Sequence, residues 1–364
     1  AQNSMPRPSP NLVVDFRTFK RCQLSPDEHM PFGLRVPLLP RIRCILGFLL
    51  VIVCLVTIVS FRQQDVLVKN AIECHCSSRR PREIVIYNKV PKTGSTSVVK
   101  IFAHLTTFNN FEIMRVNVTN PSQFINTRLH KLLVDNLTNS DTRKPLFLHG
   151  HFAYINFGRF GSHLKPIYIN LLRDPLERLA SRYYFLRFGD DHRPHLNRSR
   201  MINNTERWQT FDQCVQNKGK DCKPSLLWSQ VQFLCGSEWY CSVPGNRMAL
   251  YVAKKRLVDD YLLVGVTENF KAFMLLLETL LPRFATGLQQ TANVTRTGKP
   301  IWHTRKTNRK YPISQATRDV FKGHPVWLAE QELYEFARRE FSFRWNAYLN
   351  SPTHNQMLNS LVAH

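Results

Sequence analysis

Residues 84–97 read Ile84-Val85-Ile86-Tyr87-Asn88-Lys89-Val90-Pro91-Lys92-Thr93-Gly94-Ser95-Thr96-Ser97. Ile84 to Tyr87 is a short β-branched run, which signals a strand. Pro91 and Gly94 break it, and Ser95 to Leu105 follows as a helical stretch whose first turn is rich in hydroxyls. A strand that turns into a helix start gathers backbone N–H groups at the positive end of the helix dipole, where phosphate or sulfate binds. Gly94 permits close approach of the backbone, Lys92 supplies a cation, and Thr93, Ser95, Thr96 and Ser97 add donors. The nucleoside-triphosphate pattern G-x-x-x-x-G-K-[ST] is absent, because no glycine precedes Lys92 at the required spacing. An ordinary capped helix beside a solvated lysine explains this stretch equally well.

Outward from this loop, strand and helix patterns alternate. Pro145 to His149, Ile167 to Leu172 and Tyr261 to Val266 read as further strands, and Leu176 to Phe185 and Phe270 to Leu281 as helices. Alternation of this kind predicts an α/β fold with a central, mainly parallel sheet flanked by helices. A last helix, Pro325 to Phe341, carries Trp327, Leu328, Leu333, Phe336 and Ala337 at near-helical spacing, which marks them as core. A second anion-binding candidate follows Ile167 to Leu172. There Arg173 closes the strand at the end where α/β sheets bind ligands, and Ser181 stands two helical turns on. A surface pair of Arg173 with Asp174, or of Arg178 with Glu177, is the plainer reading.

The 364-residue chain carries a formal net charge of +24. Residues 1–61 account for +4 of it, so +20 lies beyond them and the folded part itself attracts polyanions. Residues 44–61, CILGFLLVIVCLVTIVSF, contain no charge and are close to the length of a membrane span. Arg35, Arg41 and Arg43 precede this run, which predicts a cytosolic N-terminus. The sequons opened by Asn117, Asn136, Asn197, Asn203 and Asn293 all fall after it. Cys214, Cys222, Cys235 and Cys241 lie close together without C-x-x-C spacing, so two local disulfides in an oxidising lumen are expected and a structural metal is not. The organisation predicted is a cytosolic tail (1–43), a signal-anchor helix (44–61), a stem (62–82), a catalytic domain (83–348) and a C-terminal tail (349–364). Nucleic acid is excluded as the polyanion by that topology.

Six stretches in order, Y-N-K-V-P-K-T-G-S-T-S from Tyr87, F-L-H-G-H-F from Phe147, I-Y-I-N-L-L-R-D-P-L-E-R-L from Ile167, Y-Y-F-L-R-F-G-D-D-H-R-P from Tyr183, L-V-G-V-T-E from Leu263 and L-P-R-F from Leu281, closely resemble the heparan sulfate 2-O-sulfotransferase family. The resemblance runs from about Glu83 to Phe343. That family includes uronyl 2-O-sulfotransferases of dermatan and chondroitin sulfate and Pipe-type enzymes.

The resemblance implies a P-loop-like sulfotransferase fold, a Golgi type II membrane location and 3′-phosphoadenosine 5′-phosphosulfate as sulfate donor, held without a metal. It implies that Lys92 and Thr93 to Ser97 grip the 5′-phosphosulfate and that Arg173 and Ser181 hold the 3′-phosphate. The segment ending in Arg305, Lys306 and Thr307 is implied to cover the donor. His151 is implied as the general base, with His149 beside it, and Lys92 as the stabiliser of the leaving group. Lys89, Arg193, Arg198 and Arg305 are implied to line the groove for an anionic glycosaminoglycan, within a basic stretch that includes Arg187, Arg200, Arg309 and Lys310. A homotrimer is implied as well. Three features depart from the family pattern: lysine stands at Lys89 where relatives usually have arginine, residues 300–304 include an insertion, and Asn350 to His364 do not match the family's tail. Three activities stay open: 2-O-sulfation of iduronate in heparan sulfate, sulfation of dermatan, chondroitin or another glycan, and glycan binding without catalysis.

Overall fold

The computed structural model describes residues 82–116, 127–140, 142–190, 204–293 and 306–351. The expected membrane span at 44–61 lies outside the described residues, as do Arg193, Arg198, Arg305 and the sequon asparagines Asn117, Asn197 and Asn203. No helix among the described residues is long and apolar enough to cross a membrane.

Five strands form one sheet: β1 (Ile84–Asn88), β2 (Glu112–Val116), β3 (Leu146–Gly150), β4 (Ile167–Leu172) and β5 (Tyr261–Val266). Their order is β2-β3-β1-β4-β5, and every pairing is parallel. Strands covered on both faces read as continuous apolar runs, and all five residues of β1 and of β3 are buried. Val85, Tyr87, Phe147, Ile169, Leu171 and Leu263 point to one face. Ile84, Ile86, Leu146, Leu148, Leu172 and Val266 point to the other.

Helix α1 (Ser95–Leu105) covers the first face with Val98, Ile101, Phe102 and Leu105, the spacing of a single helical stripe. Phe102 stacks on Phe147 with ring centroids 4.3 Å apart. Helix α2 (Thr127–Thr138) precedes β3 and packs Val134 and Leu137 against the opposite face. Helix α3 (Pro175–Phe188) follows β4; Asp174 caps it by accepting the Glu177 N–H at 2.8 Å, and Pro175 occupies its first turn. Helices α4 (Gln230–Cys235), α5 (Arg247–Asp259), α6 (Phe270–Leu280) and α7 (Pro325–Leu349) complete the longer or site-bearing elements. In α7, Leu333 and Ala337 are buried as expected, whereas Leu328 is 46% exposed. It lies on the outer side of a helix that buries Val326, Ala329, Glu330 and Leu333.

Disulfides join Cys214 to Cys222 and Cys235 to Cys241, with Cα atoms 6.2 and 5.6 Å apart. The first staples the turn after a short helix (Phe211–Gln216), and the second closes the loop after α4.

The topology positions the site. From β1 the chain moves to the β2–β3 half of the sheet, and from β4 it moves to β5 on the other side. The carboxyl ends of β1 and β4 therefore flank the point where the order reverses, the crevice in which open α/β sheets bind ligands.

Candidate active site

Both candidate anion loops leave the sheet at this reversal. After β1, Lys92 adopts φ 70° and Gly94 φ 81°, so two left-handed residues turn the chain sharply into α1. Gly94 is the α1 N-cap, a conformation in which a Cβ is unfavourable. No side chain caps α1 and its first turn holds no acidic residue. The positive end of the helix dipole is thus not neutralised by a capping side chain or a first-turn carboxylate. Ser95 and Ser97 are buried within that turn. Thr93 is pinned below, its Oγ1 donating to Val90 O at 3.0 Å and its carbonyl accepting from Thr267 Oγ1 at 2.9 Å.

The second loop leans on the first. Arg173 Nη1 donates to Lys92 O at 3.3 Å. Ser181, near the middle of α3, is buried and faces Thr307, with the two hydroxyl oxygens 3.3 Å apart. Thr307 also accepts from Lys92 Nζ at 3.1 Å. Lys92, Thr307 and Ser181 therefore form one row across the crevice, joining residues drawn from the loop after β1, from α3 and from a distant segment. That segment is tied down by a bridge between Asp190 and Thr307 and by Asn308 N–H donating to Gly189 O at 3.2 Å. Gly189, at φ 70° and ψ −149°, occupies a region open essentially to glycine alone. Phe188, Gly189 and Asp190 are thus the seat of this strap. Lys306, next to Thr307, is exposed.

The β1 and β4 ends are locked together underneath. Asn170 Nδ2 donates to Asn88 O at 2.9 Å and to Asn88 Oδ1 at 3.0 Å, and Tyr261 donates to the same Oδ1 at 3.0 Å. These asparagines stand within apolar strands, an anomaly visible in the sequence but not read from it as structural.

His149 lies in β3 in register with Tyr87 of β1, and His151 follows the strand's last residue. Lys89 holds both. Its ammonium lies 3.2 Å from His149 Nδ1 and can only donate, so that nitrogen accepts. Its carbonyl lies 2.8 Å from His151 Nδ1 and can only accept, so that nitrogen carries the proton. The neutral His151 ring therefore has Nε2 as its basic nitrogen, on the side away from Lys89 O. Among the described residues, no group of three or more His, Cys, Asp or Glu side chains is arranged to hold a metal.

Burial, helped by Lys89, Arg115 and His151, pushes the His149 pKa down to about 3. The folded protein thus keeps His149 neutral while the unfolded chain takes up a proton near pH 6.5. The stability contributed is fully present above that value and is lost as pH falls toward 3. Wild type is expected to lose about 2 kcal/mol more than His149→Gln between pH 7.5 and pH 5. Denaturant midpoints at both pH values measure this, and equal losses in the two proteins would count against it.

Two cations of the expected basic stretch, Arg187 and Lys310, are committed to ion pairs. Arg187 is buried, stacks over the Tyr183 ring at 3.5 Å and pairs with Asp221 at 3.0 Å. Lys310 and Arg318 both pair with Glu177. Arg309 is exposed and lies over the Trp208 ring at 4.5 Å. A run of arginines reads as a surface in sequence, but burial against an aromatic ring and an aspartate decides otherwise for Arg187.

Residues 79–322 match the model of the sulfotransferase family. The chain belongs to that family. Heparan sulfate 2-O-sulfotransferase 1 of Mus musculus and that of Homo sapiens are each 43% identical to it over 260 residues, 71% of this chain and 71% of theirs. The heparin sulfate O-sulfotransferase of Drosophila melanogaster is 42% identical over 260 residues, 71% of this chain and 72% of that protein. A sulfotransferase needs a seat for a sulfate donor, and the uncapped α1 start beside Lys92 and Arg173 has the chemistry of one.

Proposed function

We propose that this sulfotransferase transfers sulfate from 3′-phosphoadenosine 5′-phosphosulfate to the 2-hydroxyl of iduronate in heparan sulfate. The carrying observation is the row formed by Lys92, Thr307 and Ser181 at the sheet reversal, with His151 tethered by Lys89 beside it. Two anion seats joined by a hydrogen-bonded strap suit a nucleotide with phosphate at one end and phosphosulfate at the other. The named relatives support the acceptor class.

In this reading Lys92 and the α1 start (Thr93 to Ser97) hold the 5′ end of the donor, Arg173 and Ser181 hold the 3′-phosphate, and Arg305, Lys306 and Thr307 cover it. The donor supplies an activated sulfuryl group, and no metal takes part. His151 Nε2 takes the proton of the acceptor hydroxyl as that oxygen attacks. Lys92 stabilises the negative charge that builds where the sulfur–oxygen bond breaks, which favours the transition state over the ground state. His149, Lys89, Arg193 and Arg198 contact the anionic acceptor. The reading further includes a Golgi membrane anchor with a lumenal catalytic domain, carbohydrate on lumenal sequons and a homotrimeric assembly.

The test is incubation of the protein with labelled donor and separate desulfated heparan, dermatan and chondroitin chains. Incorporation into heparan at least tenfold above the other two is expected. Incorporation only into the galactosamine-containing chains would reassign the acceptor, and heparan binding without incorporation would make the protein a glycan-binding member of the family.

A further inference from the structure

We infer that Gln230, held from behind by Glu330, is a positioning residue that sets Arg173 and Lys92 in the donor site. The inference rests on the donor assignment proposed above and adds residues that touch no substrate.

At Leu172 the β4 ladder makes its last pairing, with Val266. The next amide, that of Arg173, needs a partner from outside the sheet. Gln230 Oε1 provides it at 2.9 Å, from a side chain with no exposed surface. Arg173 passes the constraint on, because its guanidinium bonds Lys92 O at 3.3 Å. One amide oxygen therefore sets the height of the second anion loop and, through it, the turn that carries the first.

Gln230 is itself clamped. The Glu330 carboxylate, fully buried on α7, accepts the N–H groups of Ser229 at 2.7 Å, Gln230 at 3.2 Å and Val231 at 3.1 Å. On the preceding residues, buried Arg178 donates to Leu227 O at 2.6 Å and to Leu226 O at 3.4 Å. A negative charge gathers the amides and a positive charge gathers the carbonyls of the same turn. Burying a carboxylate and a guanidinium is costly when they are unpaired, and these five bonds offset that cost although Arg178 Nε has no partner among the described residues. This turn therefore has one well-defined position, and α7 transmits it to the donor crevice. Arg178 lies on the same helix as Ser181, so the cationic end of the clamp stands on the element that carries the 3′-phosphate seat.

The test compares wild type with Gln230→Leu, which removes the acceptor oxygen at similar volume, and Glu330→Gln, which keeps an oxygen for the amides. For each protein, calorimetry measures the Kd for adenosine 3′,5′-bisphosphate, and kinetics measures KM for donor and for heparan acceptor. Gln230→Leu is expected to weaken nucleotide binding and raise donor KM about 10-fold, the effect of losing one buried hydrogen bond that orients a binding group. Glu330→Gln is expected to do so about 3-fold, and neither changes acceptor KM. A purely structural role would instead lower the thermal midpoint and the active fraction with donor KM unchanged, and that result overturns the inference. If Gln230→Leu does not fold, Glu330→Gln decides alone by the same split. A wild-type protein that binds no bisphosphate nucleotide overturns the donor assignment and this inference together, whereas wild-type binding with unaltered variants overturns only the inference.

Discussion

Alanine in place of His151 is expected to lower kcat by ~10²–10⁴-fold, the usual contribution of a positioned general base. Affinity for adenosine 3′,5′-bisphosphate should stay within about 3-fold of wild type, because the histidine acts on the acceptor side. The reason is in the tautomer. His151 Nδ1 donates to Lys89 O at 2.8 Å, so the ring is held with Nε2 as its basic nitrogen. An imidazole in that state is matched to a sugar hydroxyl, which is a poor nucleophile until its proton has somewhere to go. The neighbouring His149 cannot take over. Burial keeps its pKa near 3, and its Nδ1 is occupied by the Lys89 ammonium. Steady-state kinetics of the variant, with calorimetry to verify nucleotide binding, checks this. Full activity in His151→Ala would remove the base assignment.

Lys92→Ala should cost ~10²–10³-fold in kcat, the scale on which enzymes lose rate when one preorganised donor to developing charge is removed. The ammonium is fixed from two sides, donating to Thr307 Oγ1 at 3.1 Å and lying 4.0 Å over the Phe185 ring. Its backbone sits at φ 70°, a left-handed conformation that costs a non-glycine residue about 1 kcal/mol. The fold holds a lysine there against that cost. Lys92→Arg keeps the charge but replaces a compact ammonium by a planar fork, so it should recover part of the rate and not all of it. Single-turnover rates at saturating donor check the ordering of wild type, Lys92→Arg and Lys92→Ala. A Lys92→Ala enzyme slowed less than about threefold would show that the cation serves binding alone.

Much of the sheet was legible because parallel strands buried on both faces leave continuous apolar runs. Ile167–Leu172 and Tyr261–Val266 have the expected bounds, and the α1 stripe follows directly from Val98, Ile101, Phe102 and Leu105. The edge strand β2, Glu-Ile-Met-Arg-Val, was not read, since half-exposed residues on an outer strand produce no such run. Helix α2 was missed because its buried side carries only His130, Val134 and Leu137 among many polar residues. In the site, Lys92 and Arg173 were visible because each follows a strand end, and Ser181 because its hydroxyl stands two helical turns beyond Arg173. Thr307 came only from family resemblance. Gln230 and Glu330 had no local signal: a glutamine that satisfies one amide and a glutamate that gathers three are defined by tertiary contacts alone.

The most direct test of sulfuryl transfer to a uronate 2-hydroxyl is the position of the label. Heparan that has received labelled sulfate from the wild-type enzyme is cleaved to disaccharides, and these are resolved by the sugar carbon that bears the label. Label at the 2-position of iduronate is the expected result. Label confined to the glucosamine residues would contradict it.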